Sequence, residues 1–84
     1  MGRILIENID KIHTTPMGVD RIKRNLLLDD SIDVIEMAKS IVRNKNANII
    51  KTGKNFYVRL EDVVLTINSY SYTIITAKRA KISA

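Results

Sequence analysis

The chain has no cysteine, no tryptophan, one proline, one histidine and three glycines in 84 residues. Without cysteine there is no disulfide, no thiolate metal site and no thiol nucleophile. So few glycines exclude a phosphate-cradling loop, and neither a P-loop, a Rossmann pattern nor a GxSxG elbow is present. A lone histidine, His13, without a HExxH-type partner supplies no zinc set, so neither a metal nor a cofactor is expected. No apolar run approaches the roughly 18 residues of a membrane span, and the opening residues lack the apolar stretch and cleavage site of a secretory leader. No membrane partner is expected, and the cytoplasm is the expected location. The aromatic residues are only Phe56, Tyr57, Tyr70 and Tyr72, so the core has to be aliphatic.

Positive charge, by contrast, is in excess. Fourteen Lys and Arg stand against nine Asp and Glu, a formal net charge of +5. Such a balance suits polyanionic partners such as RNA, DNA or an acidic protein, although a solubilising surface explains it equally well. The cations gather in Arg21-Lys23-Arg24, Arg43-Lys45, Lys51-Lys54 and Lys78-Arg79-Lys81, whereas Asp29, Asp30, Asp33 and Glu36 concentrate before and inside a helical stretch.

The length suits one domain over residues 1–84. Ile4, Leu5, Ile9 and Ile12 recur at helical spacing and predict a short helix or a packing arm. Thr14-Thr15-Pro16 reads as a helix start, with a threonine hydroxyl to cap free N–H groups and proline where its missing N–H has no partner. From Pro16 to about Leu27, Val19, Ile22 and Leu26 form one stripe. Leu28-Asp29-Asp30-Ser31 is read as the break and cap before a second helix over residues 32–44, ended by Asn44-Lys45-Asn46. The remainder reads as strands at 47–52, 56–60, 63–68 and 72–78. Phe56, Val58 and Leu60 are expected to face inward, and Tyr57 and Arg59 outward. The expected fold is α+β, two or three helices packed on a four-stranded antiparallel β-meander. Its helical part runs over about 3–45, its sheet over about 47–79, and a frayed tail over 80–84. A domain so small has a thin stability margin, so a homodimer through a sheet edge or face is among the expected partners.

Two polar signatures carry the chemistry. The first is Lys11-Ile12-His13-Thr14-Thr15-Pro16, in which His13 is the one side chain that ordinarily titrates near neutrality. The second runs from Asn68 to Arg79 and brings Asn68, Ser69, Ser71, Thr73 and Thr76 to the last hairpin beside Lys78 and Arg79. Strand and turn preferences alone account for most of these residues. If the protein is an enzyme, metal-free cleavage of RNA through its own 2′-hydroxyl fits the residue types. His13, Arg21, Tyr72, Thr73 and Lys78 are the candidate catalytic groups. Thr14, Arg24, Lys54, Tyr57, Asn68, Ser71, Thr76 and Arg79 are the candidate nucleic-acid contacts.

These pieces are also familiar. From about Ile9 to Arg79 the chain resembles an uncharacterised bacterial domain-of-unknown-function family of small proteins. Its pattern appears here as Lys11 to Thr15, Gly18, Arg21 to Lys23 with Asn25-Leu26, Gly53 to Asn55 with Tyr57-Val58, and Thr66 to Ala77. The segment Ser71 to Ala77 is similar to strand-terminal segments of the barnase–colicin–RelE group of small ribonuclease toxins. That resemblance implies His13 with Arg21 or Arg24, and Thr73 or Thr76, facing a shared RNA cleft. The chain departs from that group at Ala77-Lys78-Arg79, where related endings often read Ala-His-Lys. The expected function is RNA binding, with toxin-like endoribonuclease activity as its enzymatic form. The alternative is a non-enzymatic protein-binding inhibitor, either a phage-type anti-host protein or a toxin–antitoxin component.

Overall fold

The computed structural model describes residues 2–80. Helix α1 (Gly2–Glu7) leads through a single 3₁₀ turn (Ile9–Lys11) into α2 (Pro16–Leu26), and α3 (Val34–Arg43) follows. Strands β1 (Asn48–Thr52), β2 (Asn55–Leu60), β3 (Val63–Asn68) and β4 (Ile74–Arg79) form one antiparallel sheet in the order β1-β2-β3-β4. The architecture is α+β, with three helices on one face of a four-stranded meander, as the hydrophobic pattern predicts.

Helix α2 begins where Thr14-Thr15-Pro16 placed it. Thr15 is the N-cap, its hydroxyl accepts the Gly18 N–H at 3.0 Å, and Pro16 takes the first helical position. Its end is a Schellman-type closure: the Leu27 and Leu28 N–H groups return to the Arg24 and Lys23 carbonyls, and Leu27 adopts φ 55°. The cap of α3 is a correction to the sequence reading. It is Asp33, whose carboxylate accepts the Ile35 and Glu36 N–H groups, and the helix starts at Val34. Leu28 to Ser31 belong to the connecting loop instead, and Ile32 stays exposed outside the helix.

The core lies between the layers. Phe56, Val58, Leu65, Ile67, Ile74 and Ala77 from the sheet meet Leu5, Ile12, Ile22, Leu26, Val34, Ala38, Ile41 and Val42 from the helical part. Adjacent apolar residues in β4 are reconciled by a β-bulge. Thr66 pairs with Thr76 but Ile67 pairs with Ile74, so Ile75 is the extra residue and turns outward. The expected start of the last strand at Tyr72 also shifts: Tyr72 has φ 60°, a turn conformation, and β4 begins at Ile74. Of the expected tail, Ala80 donates its N–H to the Asp62 carbonyl at 2.6 Å, while residues 81–84 lie outside the described part.

The two sheet edges differ. The outer edge of β4 is covered: His13 donates its N–H to the Tyr72 carbonyl and accepts the Ile74 N–H, forming a short parallel bridge to Thr73. Further along, the Asn25 amide caps the Ala77 carbonyl at 3.2 Å. β1 is the opposite edge, with no further strand beyond it among the described residues.

Candidate functional site

The structure joins the two polar signatures. Thr14 donates its hydroxyl to the Ile74 carbonyl at 3.1 Å, and the His13 bridge sets the imidazole beside the β3–β4 turn. His13 Nδ1 lies 2.8 Å from the Lys11 carbonyl, which only accepts, so this nitrogen carries the proton. In the neutral ring Nε2 is then the acceptor, and it lies 3.1 Å from Thr73 Oγ1. Thr73 Oγ1 is 2.8 Å from Ser71 Oγ, which is 3.2 Å from Asn68 Oδ1. The Asn68 carboxamide also accepts the Tyr70 and Ser71 N–H groups and thereby holds the turn. The result is an exposed chain of exchangeable hydrogen bonds from imidazole to amide. With Thr73 donating to Nε2, the single Ser71 hydroxyl proton goes either to Thr73 Oγ1 or to Asn68 Oδ1, so Ser71 alternates between the two acceptors.

This chain borders the sheet face that carries no helix. In the observed register, Thr52, Asn55 and Asn68 form one row across the strands. Ile50, Tyr57, Thr66 and Thr76 form the next, and Asn48, Arg59, Val64 and Lys78 the third. Asn55 connects the first two rows by donating to the Tyr57 hydroxyl at 3.4 Å. No carboxylate occupies any of the three rows. The nearest in sequence, Glu61 and Asp62, sit in the β2–β3 turn, where Asp62 pairs with Arg79 at 3.0 Å. Tyr57 stands near the middle of this face with its ring partly exposed.

Of the residues singled out from sequence, His13, Asn68, Ser71 and Thr73 share the corner, and Tyr57, Thr76 and Lys78 share the open face. Lys54 belongs to the neighbouring β1–β2 turn, whose carbonyl accepts the Ser69 N–H at 2.7 Å. Lys78 does not reach His13, being about 13 Å further along β4 than Ile74. Arg79 points to the helix side, held by Asp62 and the Leu26 carbonyl. Arg21 and Arg24 lie on the outer surface of α2, where they share a shallow depression with Asp20 and Met17. Tyr72 packs its ring against the core with the Lys11 ammonium 5.6 Å from the ring centroid. Sequence reasoning missed Asn55 and Thr66 as members of the face, and placed Arg59 outward beside Tyr57 without counting it among the contacts. The alternation of β2 already points Asn55 and Arg59 the same way as Tyr57, so that signal was available.

No curated protein shows a significant match to this chain, and no solved structure does. Residues 6–78 match the family described as Protein of unknown function (DUF3781), a span that takes in the first polar signature, all of the second except Arg79, the whole of β1 to β3 and most of β4. The chain belongs to that family.

Proposed function

We propose that the open face of the sheet binds single-stranded RNA. The observation that carries this reading is Tyr57 near the centre of a face that presents Arg59 and Lys78 and lacks carboxylates. An exposed tyrosine on a sheet is a stacking platform for an unpaired base, and the flanking cations suit the phosphates on either side. Asn55, Thr66, Asn68 and Thr76 supply donors and acceptors for base edges and 2′-hydroxyls. The His13–Thr73–Ser71–Asn68 corner lies at the end of this track. A reaction there would have His13 accept the 2′-hydroxyl proton, without the help of Lys78 or Arg79.

The test is titration of a short fluorescent single-stranded RNA with the protein, followed by anisotropy at low and moderate salt. Binding should weaken as salt rises, with a log–log slope of about −0.7 for each phosphate neutralised. Tyr57→Ala should weaken it on the order of tenfold, as loss of one base-stacking contact does, while Tyr57→Phe should stay close to the parent. Negligible affinity at low salt would sink the proposal. It would turn attention to a protein partner, for which exposed Ile50 and Ile75 provide the apolar contacts. Incubation of RNA with the protein in EDTA decides on cleavage: fragmentation lost in His13→Ala assigns a ribonuclease, and intact RNA leaves a binding module.

A further inference from the structure

A second basic site lies in the helical layer, away from the open face. The end of α1, the end of α3 and the start of β1 enclose a cleft of about 390 Å³. Arg3, Arg43 and Lys45 stand around it, and Ile6, Val42 and Ile49 provide its apolar lining. Among the described residues no carboxylate lines it. Among the described residues none of the three cations forms an ion pair, although the chain as a whole carries nine acidic residues. The Ile41 carbonyl is taken by the Asn44 N–H, and the Asn44 carbonyl by the Ala47 N–H. The depression on α2 is a poorer candidate, at about 180 Å³ and with Asp20 beside its arginines.

We infer that this cleft binds a mononucleotide phosphate monoester, either free or at the 5′ end of an RNA chain. Two guanidinium groups and an ammonium match a dianionic phosphate, because each guanidinium offers two parallel N–H donors to one pair of oxygens. The apolar lining takes the flat base and sugar. Below the lining the protein is packed core, since Val42 is only 1% exposed. The volume falls in the range of small-molecule sites, roughly 300–1,000 Å³. The inference is independent of the RNA track on the sheet, since Ile49 and Val42 belong to the core side.

The experiment is an NMR titration of the full chain with AMP, adenosine and inorganic phosphate. AMP is expected to shift the amide signals of residues 42–49 saturably, with adenosine and inorganic phosphate each at least tenfold weaker. Arg43→Gln and Lys45→Gln change exposed side chains, and circular dichroism checks that they fold; each is expected to weaken AMP binding about tenfold. Tyr57→Ala, which disables the sheet face, is expected to leave AMP binding unchanged. A 5′-phosphorylated oligonucleotide that binds tenfold tighter than AMP, and than its 5′-hydroxyl form, identifies a chain end as the source. Equal affinity for AMP and the phosphorylated oligonucleotide identifies the free nucleotide. The inference is overturned if AMP binds no better than adenosine, if Arg43→Gln has no effect, or if Tyr57→Ala abolishes the AMP shifts.

Discussion

Gly18 has no room for a side chain. A Cβ there would overlap Thr14 Oγ1 and press on Thr15 Oγ1. Neither hydroxyl is free to yield, since Thr14 holds the Ile74 carbonyl and Thr15 caps the Gly18 N–H itself. Gly18→Ala should therefore destabilise the fold by about 1–3 kcal/mol despite its better helix propensity, as measured by urea denaturation. Asp29 offers a second test. The Ser31 N–H lies 2.8 Å from its carboxylate, and hydrogen bonds from Ser31 hold its pKa below the ordinary aspartate value. A carboxyl lowered on folding stabilises above its unfolded value and loses that contribution as pH falls through the folded one. An NMR titration should place the Asp29 midpoint below the ordinary aspartate value, and Ser31→Ala should move it part of the way back. His13 shows where single residues stop being legible. Its residue type and its place before a helix start marked it as worth attention. Its partner Thr73 lies 60 positions away and is set by the β4 edge, which no local spacing encodes.

At the scale of elements, legibility followed local rules. β2 was readable because its residues alternate cleanly, and β3 because the tight Glu61-Asp62 connection ties it to β2. The end of α2 was less so, because the left-handed position after it holds Leu27 where glycine is usual. Leu27 is 85% exposed, so its side chain contributes little packing to offset the strained backbone. Leu27→Gly should stabilise the protein by about 1 kcal/mol, visible as a raised Tm. The start of α3 was read too early because three aspartates precede it and only Asp33 has the capping geometry. Asp33→Ala should cost about 1 kcal/mol, and Asp30→Ala much less, which separates the cap from mere proximity to a helix dipole. β4 was misplaced at its start because a tyrosine with positive φ resembles a strand residue in sequence, and its bulge hides the inward parity of Ile74 and Ala77.

For the whole molecule, the order of elements along the chain matters as much as their packing. Helix α2 lies mainly along β4, and the His13 bridge is made to the residues that begin β4. An early helix of this unit thus docks on its last strand. Until Ile74 to Arg79 have left the ribosome, the apolar stripe of Ile22 and Leu26 has no strand to cover it and β3 has an open edge. Folding of this unit then waits for β4 to emerge, with slow, long-range contacts closing the structure. A nascent chain stopped before β4 offers an unpaired hydrophobic surface, the kind of segment that chaperones shield and proteases cut.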